Sequence, residues 1–233
     1  MRARFVELAG EGFEERDADD GLELAAYGEA AERVRAAFPG AQVTEVAPGW
    51  EERWRQFHRG VATGPLWVGP PWETPPAGAL AVLIEPGRAF GTGTHATTRL
   101  CLQLLVELPR ARLLDVGCGS GVLAIAAARL GFGPVTAVDV DAAAVAATRA
   151  NAAANGVAVE SRRLDALVDE LPSAEVAVAN IAPDVLEALM PRLAAERLVT
   201  SGYLARDAVQ PRGYRVLERR ELDGWAGELY ARG

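Results

Sequence analysis

From residue 79 onward, short apolar runs alternate with longer stretches whose apolar positions recur every three or four residues. The short runs at 79–86, 111–117, 134–140, 157–162, 174–181, 197–204, 214–222 and 225–233 are rich in Val, Leu, Ile and Ala and bounded by Gly, Pro or Asp, so they predict strands. The intervening stretches at 96–108, 121–131, 141–156 and 183–196 predict helices, the last broken near Pro191. Near-continuous apolar strands alternating with helices predict an α/β fold, a doubly wound, mostly parallel, Rossmann-like sheet of seven strands. The two final runs are separated only by Asp223-Gly224, too short for a crossover, so the last strand is expected to be antiparallel.

The pattern before residue 79 is different. Residues 2–8 and 21–27 read as strands flanked by acidic, turn-forming residues. Residues 28–40 read as an amphipathic helix with Ala31, Val34, Ala37 and Phe38 on one face, stopped by Pro39 and Gly40. Residues 41–47 alternate like a further strand. Three segments follow: 1–48, a small α+β unit; 49–78, a Trp/Pro-rich helix and linker with Trp50, Trp54 and Phe57 at helical spacing; and 79–233, the large α/β domain.

A formal net charge of −8 argues against non-specific grip on nucleic acid and suits either a basic protein partner or plain solubility. With two cysteines, Cys101 and Cys118, and two histidines, His58 and His95, no metal site is expected. The first twenty residues lack the apolar core of a signal peptide, and no apolar run reaches membrane-spanning length. The expectation is a cytoplasmic monomer with reduced thiols and no membrane contact.

Chemistry concentrates after the predicted strand at 111–117, in DVGCGSG. Gly117, Gly119 and Gly121 stand at alternate positions before a helix, where missing side chains let a ligand approach the backbone and helix N–H groups. The dinucleotide fingerprint is G-x-G-x-x-G; here the spacing is G-x-G-x-G, with Asp115 two residues before the first glycine. This resembles class I S-adenosylmethionine-dependent methyltransferases, whose cofactor has no pyrophosphate. Asp139, ending the next strand, can accept both ribose hydroxyls, a role a nicotinamide enzyme would give it too; Asp141 reads as a helix N-cap. Asp165 is placed as that class places a side chain against the adenine amino group, or else is a solvated loop acid. Asn180 ends the strand expected beside the glycine-loop strand, in NIAPD. It echoes the Asn-x-x-aromatic motif of amino-group methyltransferases, without the aromatic residue; its other reading is a buried polar group that satisfies the backbone.

Taken in order, EPGRAFGTGTHATTRLCLQLL, DVGCGSGVLAIAAARLG, VDVDAAAVAATRANAAANG, VANIAPDVLEAL and TSGYL resemble the bacterial ribosomal protein L11 methyltransferase family, from about Trp50 to the end of the chain. The stretch from Phe90 to Thr98 is its most specific part. The resemblance implies repeated methyl transfer from S-adenosylmethionine to lysine side chains and the N-terminal amine of a basic ribosomal protein. It puts cofactor contacts on Thr98, Gly117, Asp139 and Asn180, and substrate recognition in the N-terminal unit; Phe90 is expected to pack against the cofactor's methionine end or the incoming amine. That unit is usually a four-stranded ferredoxin-like domain, and the segment here is shorter.

The chemistry expected is displacement at a sulfonium methyl by a neutral amine. Asn180 is the candidate catalytic residue, its carbonyl orienting the amine, with Ile181 and residues 91–94 as walls. No side chain is an obvious general base; His95 is either a base or the anchor of a loop-fixing hydrogen bond, and Thr97 is expected to cap the helix after it. Three other readings are a nicotinamide-dependent oxidoreductase, a non-catalytic binding module, and an amine methyltransferase for another protein or a small molecule.

Overall fold

A computed structural model describes residues 13–18, 21–26, 29–38, 40–41, 59–85, 93–210 and 212–233. The chain divides into two compact units, Met1–Trp54 and Arg55–Gly233. The expected strands at 2–8 and 41–47 and the expected helix bearing Trp50, Trp54 and Phe57 lie outside the described residues.

In the first unit, β1 (Phe13–Ala18) and β2 (Gly21–Ala26) form an antiparallel pair with Phe13 opposite Ala26 and Ala18 opposite Gly21. β1 falls in a stretch read from sequence as acidic turn. Its ladder with β2 overrides the low strand propensity of Glu and Asp. α1 (Glu29–Ala37) follows, with Val34 buried and Arg33 exposed, as an amphipathic stripe requires.

The second unit opens with a three-stranded sheet. β3 (Val61–Thr63) pairs antiparallel with β4 (Leu66–Gly69), which pairs parallel with β5 (Leu80–Leu83). Residues 61–69 had been read as linker, and residues 79–86 as the opening of the regular α/β pattern. They build this separate sheet because Leu66, Val68, Val82 and Ile84 bury against the main core. The Asn155 carboxamide extends β5 like a peptide group, accepting from Leu83 N–H at 2.8 Å and donating to Leu83 C=O at 2.7 Å.

The main sheet has seven strands in the order β11-β12-β10-β9-β6-β7-β8. In chain order its elements are α2 (Ala96–Glu107), β6 (Leu113–Val116), α3 (Val122–Leu130), β7 (Val135–Asp139), α4 (Ala142–Ala154), β8 (Glu160–Arg163), β9 (Val176–Asn180), α5 (Pro183–Leu189), β10 (Arg197–Leu204), β11 (Tyr214–Leu222) and β12 (Trp225–Arg232). β6 to β10 run parallel where they pair, and β12 lies antiparallel to both β10 and β11. The fold is thus the expected α/β sheet with an antiparallel last strand. Asp223 and Gly224, both at positive φ, make the two-residue turn before β12.

Alternation along the strands sorts two cores. Leu113, Val135, Ala137, Val176 and Val178 face α2, α3 and α4, whereas Leu114, Val116, Val138, Ala177 and Ala179 face α5 and its 3₁₀ continuation Met190–Arg192. Pro191 ends α5 as the sequence implies. Among the described residues, no helix is long and apolar enough to cross a membrane.

Candidate active site

The order of the sheet brings the ends of β6, β7 and β9 together, the place where open α/β sheets bind ligands. Gly117, Gly119 and Gly121 all have positive φ, at 73°, 53° and 82°. Backbone conformation therefore requires glycine here, quite apart from ligand access. The turn is tied on several sides. Gly117 and Cys118 N–H bond to Val138 C=O at 2.9 and 3.1 Å. Thr148 Oγ1 donates to Gly119 C=O, and Asn151 Nδ2 to Ser120 C=O. Cys118 is buried, and desolvation pushes its thiol up to about 12, so it stays protonated and serves packing, not nucleophilic attack.

The two acids near the loop have opposite surroundings. Asp115 is 1% exposed; its Oδ2 accepts from Ala124 N–H in the first turn of α3 at 3.0 Å, while Oδ1 has no hydrogen-bond partner among the described residues. Burial pushes its carboxyl up to about 7, the Ala124 bond opposing and the Asp139 charge adding to the rise. Asp139 is half-buried and holds the loop, accepting from Gly119 N–H at 3.0 Å and Asp141 N–H at 2.9 Å, one bond on each oxygen. Asp141 caps α4, as expected, accepting from Ala143 N–H at 2.8 Å.

A cavity of about 350 Å³ opens beside this loop. Gly117, Asp139, Asp165 and Ile181 line it, together with Val140 and Val185. Asp165 Oδ1 accepts from Leu167 N–H at 2.9 Å, which fixes the carboxylate at the cavity's rim. A Cβ on Gly117 would stand 2.5 Å from Ile181 Cγ2, so the cavity wall is built around a missing side chain. An apolar slot with two carboxylates at its edge and no cation among its described lining residues suits a nucleoside better than a pyrophosphate.

Thr98 meets Asn180, the residue before Ile181 in the chain. Asn180 Nδ2 points to Thr98 Oγ1 at 3.5 Å, a long hydrogen bond across 82 residues of chain. Thr98 is fully buried and Asn180 half-buried. The structure thus places Gly117, Asp139 and Asp165 on one cavity, ties Gly119 to it through Asp139, and puts the Thr98–Asn180 pair next to its Ile181 wall. Phe90 lies outside the described residues.

One expectation is corrected. His95, not Thr97, is the N-cap of α2: the helix begins at Ala96, which leaves Thr97 inside its first turn. His95 Nδ1 pairs with Thr97 Oγ1 at 2.8 Å, and the ring meets Trp225 edge to face at 4.9 Å. His95 is therefore a fixture of the helix start.

Sequence reasoning did not single out the apolar cavity walls Val138, Val140, Leu164 and Val185. Val140 carried a usable signal: an apolar residue between Asp139 and Asp141, 60% exposed in the fold, is out of place in a solvated turn.

Fold and site together define a methyltransferase-type α/β domain, with a G-x-G-x-G turn facing a nucleoside-sized cavity. The family "Ribosomal protein L11 methyltransferase (PrmA)" matches residues 15–220, and the chain belongs to that family. It is 40% identical over 198 residues to the ribosomal protein L11 methyltransferase of Symbiobacterium thermophilum, covering 77% of this chain and 64% of that protein. It is also 40% identical over 222 residues to that of Chromohalobacter salexigens, covering 83% and 74%. The crystal structure of a ribosomal protein L11 methylase from Lactobacillus delbrueckii subsp. bulgaricus superposes with a TM-score of 0.66 at 27% identity, covering 75% of this chain and 98% of that one. The chain spans about two thirds of the length of the curated relatives it matches.

Proposed function

We propose that this chain transfers methyl groups from S-adenosylmethionine to amino groups, lysine side chains and the N-terminal amine, of ribosomal protein L11. The observation that supports it most is the juxtaposition of the Asp139–Asp165 cavity with the Thr98–Asn180 pair across Ile181. When bound, S-adenosylmethionine supplies an electrophilic methyl group on a sulfonium sulfur. Asp139 would hold the ribose hydroxyls, Asp165 the adenine amino group, and Gly117 would admit the nucleoside to the backbone. Thr98 belongs to the same cofactor surface by family likeness.

The amine must arrive neutral. A lysine with pKa ~10.4 loses about 4–5 kcal/mol on being made neutral at pH 7, and a dry pocket reduces that cost by disfavouring the ammonium. Asn180 orients the amine through its carbonyl oxygen, the carboxamide being anchored on its amide side by Thr98. Ile181 excludes water. No histidine base is assigned, because His95 is engaged in capping α2. What these residues contribute is position and desolvation, worth several kcal/mol in total.

The N-terminal unit, Met1–Trp54, is proposed to recognise the substrate, as the resemblance implies. The overall charge of −8 suits a basic protein.

Calorimetry with S-adenosylmethionine against NADH tests the cofactor. Mass spectrometry of purified ribosomal proteins incubated with the chain and isotope-labelled cofactor tests the substrate. The expected result is a mass gain on protein L11 in equal steps, each one labelled methyl in place of one hydrogen. A gain on another protein or a small amine, with none on L11, overturns the substrate and keeps the methyl transfer.

A further inference from the structure

A buried polar cluster lies between the three strands at one edge of the main sheet. Glu228, on β12, is 5% exposed. Its Oε2 accepts from Tyr203 Oη on β10 at 2.9 Å and from Tyr230 Oη on its own strand. Its Oε1 accepts from the Arg219 guanidinium on β11 at 2.9 Å. Thr200 Oγ1 lies 2.7 Å from Tyr203 Oη; with the tyrosine proton committed to Glu228, the threonine is the donor. Desolvation raises the pKa of both tyrosines, so both remain O–H donors. A carboxylate taken this far out of water needs such partners, and a hydrophobic residue of similar volume would fill the space at less cost. A reason for its presence is found in where the cluster attaches to β10.

Thr200 and Tyr203 flank a β-bulge. Ser201 lies opposite Gly227 and Tyr203 opposite Ala226, so Gly202 is the extra residue on β10. Gly202 has φ 103°, and a Cβ there would fall within 3 Å of the backbone O, C and N of Ile181. Ile181 N–H donates to Ser201 C=O at 3.2 Å. The backbone that follows Asn180 therefore rests on the bulge, and the Ile181 side chain beyond it fills the space left by Gly117.

We propose that Tyr203 and Glu228 are positioning residues for methyl transfer: by clamping both sides of the Gly202 bulge, they set where Ile181, and with it Asn180, stands against the cofactor cavity. The path runs from carboxylate to tyrosine hydroxyl, bulge, Ile181 amide and Asn180. It rests on the role given to Asn180 above and adds to it the part of the sheet that aims it.

Tyr203→Phe and Tyr230→Phe each remove one hydroxyl from the same carboxylate oxygen, but only Tyr203 is on the bulge strand. Both variants are expected to unfold at similar, slightly lower temperatures. Tyr203→Phe is expected to lower kcat about 10-fold at saturating substrate, with the dissociation constant for S-adenosylmethionine held within about threefold. It is also expected to speed hydrogen exchange at the Ile181 amide by about 10-fold. Tyr230→Phe should change kcat and Ile181 exchange by no more than about twofold each. Glu228→Gln should follow Tyr203→Phe. Equal effects of the two tyrosine variants on Ile181 exchange would overturn the positioning role, as would an unchanged kcat in Tyr203→Phe. If the unmodified chain transfers no methyl group to any amine, the functional reading falls, and Ile181 exchange still decides whether the cluster holds that backbone.

Discussion

The two halves of the cavity edge are built in different ways. On the β6–β7–β8 side the site is made of backbone and of acids close in sequence: the glycine turn, Asp139 at the end of the next strand, and Asp165 at the rim. On the β9–β10–β12 side it depends on side chains and a bulge far apart in sequence: Thr98 with Asn180, Gly202 against Ile181, Tyr203 on Glu228. On the function proposed above, the first half fixes a shape that a cofactor enters, and the second half aims one carboxamide. Substitutions in the first half should therefore appear in binding and folding, and those in the second in turnover.

The largest effect expected is on folding and comes from Asp115. Its carboxyl in the fold sits near 7, above its unfolded value near 3.8. The folded state thus holds the proton more tightly, and stability falls as pH rises from about 4 to about 7, then levels off. Three units at 1.36 kcal/mol each make this on the order of 4 kcal/mol. Asp115→Asn keeps an acceptor for Ala124 N–H and removes the titration, so urea unfolding at a series of pH values should show that slope flattened. An unchanged slope would mean that the buried carboxyl is not the group responsible.

Next is Asn180→Ala. It should lower kcat about 100-fold, roughly 2.7 kcal/mol of barrier, and leave the affinity for S-adenosylmethionine within a few-fold in calorimetry. Equal losses in both quantities would erase the contrast between the halves. Asp139→Asn is the smallest of the three. It leaves one acceptor oxygen, sets an NH2 donor against the N–H that the other oxygen served, and should weaken cofactor binding about 10-fold, with kcat at saturating cofactor nearly unchanged.

The same contrast explains what could be read in advance. Periodicity placed the alternating strands and helices from β6 to β12, and the short Asp223-Gly224 connection placed the antiparallel strand, because each signal sits within a few residues. The glycine turn, Asp139 and Asp165 were legible for the same reason. β1 was missed because the ladder with β2 holds an acidic segment extended, and strand pairing is not a local property. β3 and β4 were read as linker because proline and tryptophan mask short strands whose stability comes from burial under α2 and α3. Thr97 was given the cap of α2 because threonine caps more often than histidine, and the ring contact with Trp225 could not be anticipated across the chain. The Tyr203–Glu228 cluster had no sequence signature, since it depends on the register of three strands.

Ile181 faces two absences at once, its side chain the missing Cβ of Gly117 and its backbone the missing Cβ of Gly202. One wall residue thus bounds the cavity proposed for the nucleoside without forming part of the glycine turn. That makes its size adjustable on its own. Ile181→Ala should open a hole into which an S-adenosylmethionine analogue with an added alkyl group fits, a bulk that the unmodified chain refuses. Only the altered chain would then transfer from that analogue, so its products could be told apart from those of every other methyltransferase in the same mixture.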